Sequence, residues 1–310
     1  MSKGKALILS NYLCLLGWWL ILTFTGSREG LGNVFYLLGM GVYAFVLSLS
    51  LAGAASGLSM LHRYRLPVVV ISIGMSLFGL GTMLWFYNEF FGGMEVPFPS
   101  LSDVFYVAQF PFSVFGIMFF LKDGAFRRLR DYIGLVLKVL IFVLSIFGIT
   151  YIAVRSFSDH VDLSTYLLYY YSLESLSILI LYIFSYRIAH SLGTRMFSAP
   201  SFAYVLLGQA LWFAADGLFF YDIVTETMYD ANYSDLLYVT SVFFILFGLA
   251  SLIDESKEEG FFSPIGPVYF QKMTVYNAID LHLRRFSVWL LSKQPRSARS
   301  VSAADVIINP

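Results

Sequence analysis

The sequence predicts an all-α, polytopic membrane protein of about eight transmembrane helices in a 4+4 parallel internal duplication, with a short cytoplasmic C-terminal tail. Three observations predict it. Mean hydropathy is +0.73 and only 13% of residues are charged, about half the share found in soluble domains. Apolar runs of about 20 residues, long enough to cross a hydrocarbon core as helix, recur along most of the chain. An acid-bearing segment near residue 100 returns 132 residues later.

The predicted spans are about 6–25, 33–61, 67–90, 101–121, 132–154, 163–190, 201–222 and 235–253. After Lys3 and Lys5 the first run continues to Thr25 without a small-x-small cleavage site. It therefore reads as a transmembrane helix rather than a signal peptide. Pro67 and Pro200 stand at span starts, where a missing backbone N–H does little harm. Several spans exceed the bilayer thickness, which permits tilt.

Orientation follows from the basic residues. With the N-terminus inside, the inner segments and the tail collect seventeen Lys and Arg, and the outer loops hold only Arg28 and Arg155. The positive-inside rule then puts both termini in the cytoplasm of a multi-pass cell-membrane protein. The outer side collects acids instead: Glu29, Glu89, Glu95, Asp103, Asp159, Asp162, Asp222, Glu226, Asp230 and Asp235. Lys138, within span five, is expected to snorkel toward the cytoplasm.

The repeat is carried by "SLSDVFYVAQFPFSVFGI" (100–117) and "NYSDLLYVTSVFFILFGL" (232–249). Without a gap, Ser102, Asp103, Tyr106, Val107, Phe112, Phe115 and Gly116 match Ser234, Asp235, Tyr238, Val239, Phe244, Phe247 and Gly248. At nearly the same offset "LWFY" (84–87) faces "LFFY" (218–221), and Pro67 faces Pro200. Residues 1–130 read as the first four-helix repeat, 131–253 as the second and 254–310 as the tail. An even number of spans per copy keeps both copies in one orientation.

Asp103 and Asp235 have two readings. Ser100 with Asp103, and Asn232 with Asp235, form capping-box-like starts that satisfy free amides and set negative charge at a helix N-terminus. Alternatively, duplication brings both carboxylates to one outer vestibule, ready for a cation or an amine.

Two further acids lie at membrane depth. Glu174 is near the middle of span six and Asp216 about two turns from the outer end of span seven. A charge near the bilayer centre costs about 2.5–3.5 kcal/mol on insertion scales, so such groups face the bundle interior or water. Neither aligns with an acid in the first half, where position 41 is Gly and position 83 is Met, beside Thr82. Glu174 and Asp216 are expected to line one polar cavity between the repeats, unless each is simply hydrogen-bonded to tyrosines or serines across a helix interface. The candidate ligand-binding set is Glu174, Asp216, Asp103, Asp235, Tyr87 and Tyr221.

No cofactor, catalytic residue or metal site is expected. The single cysteine, Cys14, has no neighbouring His or acid, and no HExxH motif occurs. His62, His160, His190 and His282 are not stacked at membrane depth, against a bis-histidine haem. The run "LAGAASGLSM" (51–60) allows close helix contact, within the chain or in a homodimer. In the tail, residues 264–294 read as an amphipathic helix with Arg284, Arg285 and Lys293 suited to anionic headgroups, and the end beyond Pro295 reads as mobile.

An aromatic-rich helix ending in Phe-Tyr, then Pro-Ser-x-x-Asp-x-Phe-Tyr and a long apolar helix with Gly, resembles a membrane module of bacterial and archaeal signalling proteins. The second signature, "ADGLFFYDIVTETMYDANYSDLLYV", puts Asp216, Tyr221 and Asp235 in the matching places. The resemblance covers about residues 30–253. It implies a multi-span sensor region of the kind found ahead of diguanylate cyclase, PAS or histidine-kinase domains. Residues 254–310 are too few for such an output domain, so the expected function is a sensor acting through a partner chain. The alternatives are a small secondary transporter with its polar site in the second repeat, or a structural subunit of a membrane complex. The bilayer is an expected partner; nucleic acid is not.

Overall fold

A computed structural model describes residues 2–26, 30–58, 64–92, 99–121, 129–157, 162–191, 200–225, 227 and 231–261. Among these residues every regular element is helical: α1 (Lys3–Thr25), α2 (Leu31–Ser56), α3 (Arg65–Gly92), α4 (Leu101–Leu121), α5 (Leu129–Phe157), α6 (Leu163–Ser191), α7 (Pro200–Val224) and α8 (Tyr233–Phe261).

The ends have local causes. Lys5 N donates to Ser2 Oγ at 3.4 Å, and α1 stops at Gly26, whose φ of 70° is the left-handed conformation that ends helices. Thr165 N donates to Asp162 Oδ1 at 2.7 Å at the start of α6. Pro200 opens α7, and Pro67 lies in the first turn of α3; neither position has an intrahelical acceptor to lose.

Seven of the helices are long and apolar enough to cross a membrane, the signature of a multi-pass membrane protein. Eight spans were expected. The expected span at 132–154 falls on α5, where the described side chains form a shorter apolar stretch, Leu140–Ile152. At the other end, α8 runs on to Phe261, past the expected limit at 253, because "DESKEEGF" continues the helix in polar residues. The amphipathic segment 264–294, the end beyond Pro295, and Glu29, Glu95, Asp159, Glu226 and Asp230 lie outside the described residues.

Packing depends on small residues at a few close approaches. A Cβ on Gly41 would come within 2.9 Å of Gly79 O, and one on Gly79 within 2.7 Å of Gly41 O, so α2 and α3 touch backbone to backbone. In α3, a Cβ on Gly74 would meet Gln109 O of α4 at 3.4 Å. In α7, one on Gly208 would meet Ser241 O of α8 at 2.9 Å. In the run at 51–60, Ala55 is fully buried, whereas a Cβ on Gly53 would meet nothing within 4 Å.

The first helix closes on the last. Trp19 Nε1 donates to Asn232 O at 3.1 Å, Tyr12 Oη lies 3.2 Å from Thr240 Oγ1, and Lys5 Nζ is 3.0 Å from Asp254 Oδ2. Helices α1 and α8 are therefore antiparallel, and Lys5 and Asp254 share one end of the bundle.

Candidate functional site

The site begins with two helix starts. At α4, Ser100 N donates to Asp103 Oδ2 at 2.5 Å and Ser102 N donates to Ser100 Oγ at 3.2 Å. At α8, Asp235 N donates to Asn232 Oδ1 at 3.0 Å, and the Asp235 carboxylate accepts from the backbone amides of Ala231 and Asn232. Both are capping arrangements. Capping occupies only part of Asp103, which is 4% exposed. Its second oxygen, Oδ1, accepts from the Tyr171 hydroxyl of α6 at 2.6 Å.

From there the helices lead inward to a cavity of about 90 Å³, room for several water molecules. Helical spacing puts Phe78, Thr82 and Trp85 of α3 on its wall, and Trp212, Asp216 and Phe219 of α7 opposite. Leu37 and Met40 of α2 face Tyr171 and Glu174 of α6. Asp103 and Tyr106 of α4 accompany Asp235 and Tyr238 of α8, with Gln109, Asn232 and Ser234 completing the lining. The second member of each α2–α6 and α3–α7 pair stands 134 positions after the first, and of each α4–α8 pair 132.

The paired contacts also correspond. The Tyr106 hydroxyl donates to Thr82 Oγ1 at 3.4 Å, and the Tyr238 hydroxyl donates to Asp216 Oδ1 at 2.5 Å. Phe78 packs on Tyr106 with ring centroids 5.6 Å apart, and Trp212 on Tyr238 at 5.5 Å. Phe78 and Trp212 then meet edge to face at 4.6 Å. At these spacings Leu37, Met40 and Thr82 stand against residues of different chemistry, Tyr171, Glu174 and Asp216; the 134-residue spacing sets Glu174 against Met40 rather than Gly41.

Four carboxyl side chains thus line one cavity: Asp103, Glu174, Asp216 and Asp235, with no Lys, Arg or His among the described lining residues. Glu174 and Asp216 are each 6% exposed and near enough for their charges to interact. Asp216 has Tyr238 as its hydroxyl donor, and Glu174 has Tyr170 beside it. Among the described residues no three His, Cys, Asp or Glu side chains are grouped to hold a metal ion.

Four of the six sequence candidates meet here, and two do not. Tyr87 is 57% and Tyr221 60% exposed, each two residues beyond a cavity-facing aromatic, Trp85 or Phe219. Two helical residues rotate about 200°, which turns both rings outward; Tyr87 packs on Phe91 instead. Sequence reasoning passed over Tyr106, Tyr171, Tyr238, Trp212 and Gln109. The repeated Ser-Asp-x-x-Tyr spacing could have found two of these, since positions i and i+3 share a helix face.

No protein-family model, curated protein or solved structure matches the chain.

Proposed function

We propose that the chain is an integral membrane sensor that reads a small ligand in this cavity and acts through a partner chain. The observation that carries the reading is the convergence of Asp103, Glu174, Asp216 and Asp235, from four helices, on one cavity with no basic residue among its described lining residues. Ionisable groups at membrane depth are expensive and mark functional sites by default. The resemblance to sensor modules points the same way.

The proposal includes a 4+4 parallel duplication with a pseudo-twofold axis along the membrane normal. It is supported by the corresponding contacts Tyr106–Thr82 and Tyr238–Asp216, and by the equivalent approaches of Gly74 to Gln109 and Gly208 to Ser241. Phe78 and Trp212, which occupy corresponding positions, meet where such an axis would pass. Both termini are placed in the cytoplasm by the seventeen-to-two distribution of basic residues. The Lys5–Asp254 pair is in keeping with this. The segment 254–310 then reaches the partner, a kinase, a cyclase or another membrane protein.

A secondary transporter is the second reading, favoured by Glu174. A buried acid near the middle of α6 would equally serve a carrier of cations or protons. Reconstitution of the full chain in liposomes separates the two. The sensor reading expects no substrate or proton flux, and co-purification of a stoichiometric signalling partner that is lost when 254–310 is removed. Flux that disappears in Glu174→Gln or Asp216→Asn would overturn it in favour of transport.

A further inference from the structure

We infer that the cavity takes a small neutral molecule bearing a primary carboxamide, recognised by the side-chain amide of Gln109. The inference rests on reading the cavity as a ligand site and names the class of ligand.

Gln109 stands at membrane depth in α4, one turn beyond Tyr106 on the same helix face. It lines the cavity and is 3% exposed. Its stem packs on α3, where a Cβ on Gly74 would meet Gln109 Cγ at 3.6 Å. Among the described residues its amide has no hydrogen-bond partner. Gln209 Nε2 of α7 is also unpartnered, but it is sealed in the core. Neither amide atom of Gln109 is sealed in that way, so the little surface this residue keeps is cavity surface. An amide has a two-proton donor and a carbonyl acceptor, and both carry a desolvation penalty until something enters the cavity to meet them.

The acids select no counter-ion, because each is engaged within the protein. Asp103 holds the Ser100 amide and the Tyr171 hydroxyl, Asp235 two backbone amides and Asp216 the Tyr238 hydroxyl. Glu174 has Tyr170 beside it. A cation would fill the carbonyl of Gln109 and leave its NH₂ without an acceptor. An anion would fill the NH₂ and meet four carboxyl groups with no basic residue among the described lining residues. A primary carboxamide fills both ends at once in a two-bond cyclic pair, and its remaining N–H turns to an acceptor-rich wall.

The rest of the wall suits a flat ligand. Phe78, Trp212 and Phe219 face the same space, and their rings bury a planar group with its methyl. Size sets the upper limit. A cavity of about 150 Å³ holds the six carbons of benzene, so about 90 Å³ holds roughly four heavy atoms, the size of acetamide.

The test uses the full chain in lipid nanodiscs, titrated with acetamide, acetate and acetamidinium, which share one shape and differ in charge. Ligands this small bind weakly, so saturation-transfer NMR is the readout. Acetamide should bind saturably, and the two ions about tenfold or more weakly, the range of one or two hydrogen bonds. Gln109→Met should weaken acetamide by a similar factor while keeping or raising the unfolding temperature, since it removes an unpaired buried amide. Asn11→Ala, on the exposed face of α1 where Asn11 Nδ2 donates to Leu7 O, should leave binding unchanged. The ligand series needs no variant, so it decides the matter even if Gln109→Met fails to fold. Equal binding of the three, tighter binding of acetamidinium, unchanged binding in Gln109→Met, or no saturable binding at all would each overturn the inference. Acetamide binding together with acetamide flux in liposomes would overturn the sensor reading and leave this one standing. A signalling partner lost with 254–310, without acetamide binding, would do the reverse.

Discussion

The Tyr171 hydroxyl donates to Asp103 Oδ1 at 2.6 Å, tying the middle of one helix to the first turn of another. The same carboxylate holds the Ser100 amide with its other oxygen. One acid therefore starts α4 and anchors it to α6. Removing the hydroxyl in Tyr171→Phe should cost about 0.6 and at most about 1.7 kcal/mol, the range for hydrogen bonds between membrane helices. Asp103→Ala should cost more, since it also removes the cap contact, itself worth about 1 kcal/mol. Unfolding in mixed micelles measures both. Equal losses would contradict the double role of Asp103.

Tyr238 and Tyr106 occupy corresponding positions with unequal partners. Tyr238 donates to a carboxylate at 2.5 Å and Tyr106 to a threonine at 3.4 Å. Hydrogen bonds to charged groups contribute about 1.5–3 kcal/mol against about 1 for neutral ones. Tyr238→Phe should therefore destabilise the protein more than Tyr106→Phe. Its effect should also couple to Asp216→Asn in a double-mutant cycle. Additive effects of Tyr238→Phe and Asp216→Asn would remove the bond from the account.

Gly79→Ala tests the backbone contact of α2 with α3. The added Cβ would lie 2.5 Å from Phe45 N and 2.7 Å from Gly41 O, neither of which can turn aside as a side-chain tip would. A loss of about 1–3 kcal/mol follows from overpacking, with the helices forced apart. Gly17→Ala in α1 meets nothing within 4 Å and should gain up to about 1 kcal/mol from helix propensity. Thermal denaturation of the two variants should move in opposite directions.

The Lys5–Asp254 pair should matter little to stability. Its side chains are 20% and 25% exposed, at one end of the bundle, where a partly hydrated pair contributes about 0–1 kcal/mol and salt screens it. Lys5→Gln should lower stability by less than about 1 kcal/mol, with the difference shrinking as salt rises. A larger, salt-independent loss would mean that the pair is desolvated.

Much of the architecture was legible from periodicity and composition because lipid leaves a helix few alternatives: every backbone amide must find a partner within its own segment. That requirement set the eight helices and, through Pro67, Pro200, Ser100 and Asn232, half of their starts. It also marked Glu174 and Asp216, since an acid in an apolar run is conspicuous. Tyr87 and Tyr221 were chosen for their place in a repeated motif, which says nothing about the face of the helix they occupy.

What the chain determines alone is where it crosses the membrane and which residues are out of place there, because both follow from transfer of single side chains and single helices into hydrocarbon. Tertiary structure decided the rest. That Asp103 uses one oxygen for a cap and the other for Tyr171, that Glu174 and Asp216 reach one cavity, and that Phe78 of α3 meets Trp212 of α7 depend on how helices are rotated against one another. Those rotations are set by close approaches such as Gly41 to Gly79 and Gly208 to Ser241, contacts between residues far apart in the chain whose partners no local pattern names.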